Sequence, residues 1–174
     1  MKKSARPRIS AGLVLYRLRN GEPEVFLAHP GGPFFARKDN GHWTIPKGEP
    51  DGGEDLLLTA QREFGEEVGF VPQGPFTELG TITQKGGKIV YAWACEGDLP
   101  EGHNHTCNTF STEWPIGSGK FQSFPEIDKV CFFSIEEARV KLKETQVPLL
   151  DRLLEHLHRG GPSAASSDCG PRTN

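Results

Sequence analysis

The sequence predicts a single α/β domain, with strands and helices interleaved along one chain. Two observations carry this. Short apolar runs bounded by Gly, Asn and Pro recur from residue 9 to residue 133, and two segments, 54–68 and 135–157, carry apolar residues at helical spacing instead. The chain has 174 residues, the size of one ordinary domain.

Residues 9–18, ISAGLVLYRL, read as a largely buried strand, and Asn20-Gly21 as a turn into a second strand over Glu24–Ala28, so the pair forms a hairpin. Residues 29–42 lack periodicity and read as a long loop with bends at Gly31-Gly32 and Asn40-Gly41. Trp43–Ile45 is expected as a short strand, followed by a Gly-rich loop over 46–53. A helix is expected from about Glu54 to Val68, with Gly69 as its stop.

Phe76–Thr83 and Lys88–Glu96 read as strands around a Lys85-Gly-Gly87 turn, the second covered on both faces because nearly every residue is apolar. Residues 97–125 show no repeating face and are expected to be a long irregular loop or insertion, folded back on the body through Phe110, Trp114, Phe121 and Phe124. A last strand over Lys129–Phe133 precedes Ser134, which forms a capping box with Glu137. Leu142 to Leu157 recur at helical spacing around Pro148, giving a short helix and then a terminal one. The domain is thus expected to span 9–158, between a flexible basic N-terminus (1–8) and a disordered Gly/Ser/Pro tail (159–174).

Composition excludes some functions. Twenty basic against 23 acidic residues, a formal charge of −3, give no extended nucleic-acid surface, although a local patch escapes that test. No run of eighteen apolar residues offers a membrane span, and no secretory signal is evident. Cys95, Cys107, Cys131 and Cys169 contain no CxxC pair, which fits a reducing, cytoplasmic location. The alternation His103, His105, Cys107 lacks a second cluster to complete a zinc site and reads as surface loop.

The chemistry concentrates at GEPDGGEDLLLTAQREFGEEVGF, residues 48–70. On a helical wheel with Glu63 at zero, Glu67 falls at about 40° and Glu66 at about −60°, so three carboxylates share a face beside the apolar stripe of Leu56, Leu57, Ala60, Phe64 and Val68. Like charges so placed repel, and they occupy the helix end where negative charge is unfavourable. Arg62 cannot neutralise all three; a divalent cation can, while a merely solvated acidic helix is the plainer alternative. Gly48, Gly52 and Gly53 let the preceding backbone approach a ligand, and Lys47 places a positive charge beside that turn.

Gly48, Glu54, Arg62-Glu63, Phe64, Glu66-Glu67, Gly69 and Phe70 match the box of the Nudix hydrolase family at each defining position; only Phe64 departs, where an aliphatic residue is more usual. Ser10-Ala-Gly12, His42-Trp-Thr-Ile-Pro-Lys-Gly48 and Ser134–Ala138 are also similar to this family. The lead-in resembles asymmetric diadenosine tetraphosphate hydrolases and related bacterial nucleoside triphosphate pyrophosphohydrolases. The resemblance implies an α/β/α sandwich with a curved mixed sheet between helices. It implies Mg²⁺, or Mn²⁺ in its place, held by Glu63, Glu66, Glu67 and the Gly48 carbonyl. It further implies Arg62 as the residue orienting the carboxylates, with Glu54, Gly53 and Gly69 supporting the loop–helix junction.

The implied reaction is hydrolysis of a phosphoanhydride in a nucleoside polyphosphate by water attack at phosphorus. A dinucleoside polyphosphate is the favoured substrate. A nucleoside triphosphate, a nucleotide sugar or a 5′-triphosphate RNA end is the alternative, and a non-catalytic nucleotide-binding module the lesser one. Glu63 or Glu126 would accept the proton, with Glu113 and Asp128 as weaker versions of the same idea. Lys47, Trp43 and Tyr91 are the candidate substrate contacts; Trp114 and Phe121 are further rings for a base to stack on. Arg37, Lys38, Lys85 and Lys120 are either extra phosphate contacts or solvated charges. Monomer and homodimer remain equal expectations.

Overall fold

The chain order, from a computed structural model that describes residues 7–160, is β1 (Ile9–Arg19), β2 (Glu22–Pro30), β3 (Lys47–Gly48), α1 (Leu56–Val68), β4 (Phe76–Thr83), β5 (Ile89–Glu96), β6 (Thr109–Glu113), β7 (Phe121–Pro125), β8 (Ile127–Ser134), α2 (Ile135–Lys141) and α3 (Pro148–Gly160). Strands run in the order β4-β5-β1-β2-β8, with β3 added to β1. β1 pairs parallel with β5, and the other pairs of this sheet are antiparallel, which makes the sheet mixed.

The near-continuous apolar sequence of β1 is explained by burial on both faces. Ala11, Leu13 and Leu15 join Phe26, Ala60, Phe64 and Val68 under α1. Val14 and Tyr16 join Val25, Leu27, Leu142, Leu149, Leu150 and Leu153 on the opposite side, under α2 and α3. The sheet therefore lies between helices, as the sequence predicts. Phe64 fits because this core is built of rings: its centroid lies 5.5 Å from that of Phe26, which in turn meets Phe132 edge-on at 5.3 Å.

Helix α1 begins two residues beyond the expected point because Asp55 caps it, accepting from the N–H groups of Leu57 and Leu58 at 3.0 and 3.1 Å. Gly69 ends it at φ +81°, the left-handed conformation that favours glycine. Ser134 and Glu137 form the expected capping box on α2.

Two expectations are corrected. Trp43–Ile45 is not a strand: it makes only isolated bridges, Ala28 to Thr44 and Trp43 to Leu142. A side chain takes the place of a neighbouring strand, since the Ile45 N–H donates to the buried Gln146 Oε1 at 2.9 Å, and Pro46 has no N–H to continue a ladder. Residues 97–125 are not irregular throughout either, because β6 and β7 pair antiparallel as a separate two-stranded sheet. Its strands expose residues on both sides, so no alternation marks them in the sequence. The expected basic N-terminus and tail lie largely outside the described residues, and residues 159 and 160 complete α3. No helix among the described residues is long and apolar enough to cross a membrane.

Candidate active site

The loop and helix meet because β3 is pinned to β1. Ala11 and Gly12 face Gly48 and Lys47 across the ladder, and the Leu13 N–H donates to the Pro46 carbonyl at 3.1 Å. Gly12 is required for this approach: a Cβ there would lie 2.7 Å from Lys47 Cβ and 2.8 Å from the Pro46 oxygen. The register sets Gly48 directly against the carboxylate of Glu63. A Cβ on Gly48 would stand 1.9 Å from Glu63 Cδ, so Gly48→Ala must push that carboxylate aside. The expected result is a fold close to the original by circular dichroism, with whatever activity the site supports lowered by up to about 10²-fold, the scale on which misplacing a group by an ångström acts.

Arg62 organises the acidic groups. Its Nε and Nη2 donate to the two oxygens of Glu54 at 3.1 and 3.0 Å, a bidentate pair. Nη1 donates to Glu63 at 2.9 Å and to Glu66 at 3.1 Å, and Nη2 also reaches the Glu49 carbonyl at 3.1 Å. Glu54 further accepts from Thr59 Oγ1 and the Asp51 N–H. The Arg62 guanidinium, with these other donors, holds the Glu54 carboxyl down to about 2. One arginine thus joins loop and helix and gathers Glu54, Glu63 and Glu66 around itself. Gly53, at φ +92°, turns the chain just before this junction.

The remaining carboxylates lie deeper. Burial pushes the Glu63 carboxyl up, with Arg62 opposing the shift. Burial pushes Glu67 up as well; Lys47 partly offsets it, and the nearby charges of Glu63 and Glu126 add to it. The Glu67 carboxylate accepts from the Lys47 N–H at 3.3 Å, beneath the loop rather than out in solvent. Burial in turn lowers the Lys47 ammonium. Glu63 and Glu67 therefore turn inward, while Glu66 is the exposed member of the three.

No three His, Cys, Asp or Glu side chains among the described residues converge as a ready-made metal cage. The donor set nevertheless fits Mg²⁺: crowded carboxylate oxygens short of positive charge suit a hard cation that keeps waters and is completed by substrate phosphates, not by an all-protein cage. Residues 103–107 do not assemble a second site, since no three such side chains converge there among the described residues; Nε2 of His103 and of His105 instead bonds the Val68 and Ile127 carbonyls.

Other candidates separate. Glu126 is brought close enough for its charge to bear on both Glu63 and Glu67, through the base of the β6–β7 hairpin: its N–H donates to the Asn108 carbonyl, and its own carbonyl accepts from Gly31. Glu113 is used within the hairpin, accepting from the Gly119 N–H, and Asp128 pairs with His29 Nδ1 at 2.6 Å. Trp43 is corrected as a stacking platform. It is 6% exposed, packs edge-on to His29 and Phe133, and donates Nε1–H to Asp39 at 2.7 Å, so no face is open to a base. Tyr91 is half-buried in β5, while Trp114 packs on Phe34 in the hairpin region.

Three contributors escaped the sequence reading: Glu49, Lys88 and Lys143. Lys88 pairs with Glu49 at 2.9 Å, and the charges of Lys88 and Lys143 are both felt at Lys47. Lys143 sits between α2 and α3, about 95 positions from the loop it faces, and no local motif signals that approach.

A helix whose crowded carboxylates meet a glycine-turned loop on one face of a mixed sheet defines a recognisable class of α/β/α sandwich. Residues 6–157 match the NUDIX domain, and the chain belongs to that family. It is 43% identical over 61 residues to the asymmetrical bis(5′-nucleosyl)-tetraphosphatase of Rattus norvegicus, covering 32% of this chain and 42% of that protein. The counterpart in Caenorhabditis elegans is 39% identical over 64 residues, covering 37% and 42%. These matches thus span about two fifths of the length of the curated relatives. Among solved structures, a C. elegans Ap4A hydrolase binary complex superposes with a TM-score of 0.61 at 24% identity, over 87% of this chain and 98% of that one. The NUDIX domain of Shewanella oneidensis NrtR, complexed with ADP ribose, gives 0.61 at 16% identity over 90% and 92%. At these identities the superpositions speak to the fold.

Proposed function

We propose that the protein hydrolyses a phosphoanhydride bond of a nucleoside polyphosphate in a Mg²⁺-dependent reaction, a dinucleoside polyphosphate being the preferred substrate. The single observation that carries this reading is the pair Glu63 and Glu67, buried against the Gly48 backbone and Lys47 with too little positive charge nearby to be comfortable ionised. The substrate preference draws on the asymmetrical tetraphosphatases to which residues of this chain are similar.

Glu63, Glu66, Glu67 and the Gly48 carbonyl would hold the cation, which supplies Lewis acidity toward water and the phosphoryl oxygens. Arg62 keeps Glu63 and Glu66 aimed at one place while spending its other donors on Glu54. Lys47 offsets negative charge on the phosphoryl group as the bond to the bridging oxygen lengthens. Water forms the new oxygen–phosphorus bond, the bridging oxygen leaves with the electron pair on the departing nucleotide, and the water proton passes to a carboxylate. Glu126 is the better acceptor. Its side chain has no hydrogen-bond partner among the described residues, whereas Glu63 is held by Arg62. No nucleophilic Ser or Cys is needed.

The test is a screen of diadenosine polyphosphates, nucleoside triphosphates and nucleotide sugars, with and without Mg²⁺, with products identified in ¹⁸O-water. Mg²⁺-dependent conversion of diadenosine tetraphosphate to ATP and AMP, with one ¹⁸O incorporated, is expected. Failure of every substrate to turn over, with nucleotide still bound, would return the chain to a non-catalytic binding module.

A further inference from the structure

A cavity of about 660 Å³ opens between the β4–β5 turn and the segment joining α2 to α3, walled by His42, Gln84, Lys85, Arg139, Lys143 and Thr145 among others; the carboxylates of α1 do not line it. We propose that this cavity receives the phosphate chain of the substrate, with Lys143 as the contact that selects for chain length, and not a nucleobase. The proposal rests on the function proposed above and adds a specificity-determining residue to it.

The wall chemistry separates the two occupants. No Trp, Tyr or Phe lines the cavity, and its apolar members Val140, Leu142 and Val147 offer no flat surface; the single ring on the wall, His42, is engaged with Phe35 and, through Nδ1, with the Asn40 carbonyl. A base would gain little there, since stacking is what sequence-tolerant base binding relies on. Cations are abundant instead. Arg139 is already paired with Asp151, but among the described residues neither Lys85 nor Lys143 has a carboxylate within 4 Å. Glu144 is the one acidic residue on the wall, and it is exposed.

Lys143 joins this cavity to the catalytic end. It lines the cavity, its charge bears on Glu67, and Lys47 feels both it and Lys88. A partly buried ammonium with no carboxylate in direct contact, and sharing the Glu67 charge with Lys47, gains when an anion arrives, and phosphate oxygens are strong acceptors for it. Its position is also fixed, not incidental. The Lys143 N–H donates to the Trp43 carbonyl at 2.9 Å, the Trp43 N–H donates to the Lys141 carbonyl at 3.0 Å, and Gln146 grips Thr44 and Ile45. The segment carrying Lys143 is thereby locked to the strip of chain that leads into Lys47 and Gly48. Lys47 in the loop, and Lys143 and Lys85 on the cavity wall, are the cations available to successive phosphates.

The test compares the unaltered protein with Lys143→Gln and Lys143→Arg, using diadenosine tri-, tetra- and pentaphosphate, diguanosine tetraphosphate, and inorganic tripolyphosphate as inhibitor. The Lys143 side chain makes no hydrogen bond among the described residues, and its backbone contacts survive either change, so both variants should fold. Lys143→Gln should raise KM for tetra- and pentaphosphate about tenfold, with kcat much less affected, and weaken tripolyphosphate inhibition to a similar degree. Lys143→Arg should restore most of both. Exchange of adenine for guanine should matter less than loss of a phosphate in the unaltered protein. Unchanged KM and inhibition in Lys143→Gln, or a base preference that outweighs chain length, would overturn the proposal. Calorimetric titration of tripolyphosphate reads the same contrast without turnover, so inactivity on every nucleotide would count against the proposed function and leave this one separately decided.

Discussion

Glu67→Gln is expected to lose most turnover, by about 10²–10³-fold, the scale on which removal of one charge-stabilising group in an excluded site lowers kcat. The substitution keeps shape and takes away only the charge, so the fold should persist. Its effect on stability has a definite sign. Burial raises the Glu67 carboxyl from 4.5 to about 8, so the folded protein binds its proton more tightly than the unfolded chain does. Metal-free protein should therefore lose stability as pH climbs from about 4.5 towards about 8, and Glu67→Gln should flatten that decline. Thermal melts in chelator at several pH values, beside steady-state kinetics in Mg²⁺, read both effects. Comparable turnover in the two proteins would remove Glu67 from the site.

Arg62→Lys is the second large effect, although it preserves charge. Five hydrogen bonds to Glu54, Glu63, Glu66 and the Glu49 carbonyl depend on a planar fork of donors. An ammonium offers a single point and cannot serve Glu54 bidentately while also holding two carboxylates on the helix. Turnover should fall by about 10²-fold. Stability should fall by about 1 kcal/mol, because the network is only partly screened by water. Glu54→Gln should destabilise in the same direction with a smaller loss of rate, since Glu54 acts by anchoring Arg62. Kinetics and denaturant melts on both variants separate orientation from charge.

The parts of the site legible in the sequence are those built from local spacing. The i, i+3, i+4 placement of Glu63, Glu66 and Glu67, the Arg62–Glu66 pair and the Gly69 stop all follow from one helix, and the structure has them. The burial of β1 was equally visible in its largely apolar sequence; coverage of both its faces is what the structure adds. What long-range approach creates was not visible. Lys143 is held to the lead-in by its N–H on the Trp43 carbonyl and by Gln146 serving Ile45 in place of a strand partner; Gln146 reads in the sequence only as one position of the helical series, with no mark of what its side chain meets. For Trp43 the sequence leaves core, cleft wall and stacking platform all open, because an aromatic in a lead-in has no mark of depth; its ring is enclosed by His29 and Phe133, both distant in the chain. The β6–β7 hairpin was hidden because both its faces are largely exposed, which erases the alternation that reveals strands.

Calorimetric titration of Mg²⁺ into the protein saturated with a non-hydrolysable dinucleoside polyphosphate probes the carboxylate cluster most directly. Saturable uptake by the unaltered protein, weakened at least about tenfold in Glu67→Gln, is the predicted result. Heat no greater than dilution, or identical isotherms for the two proteins, would mean that these acidic side chains do not serve a cation at all.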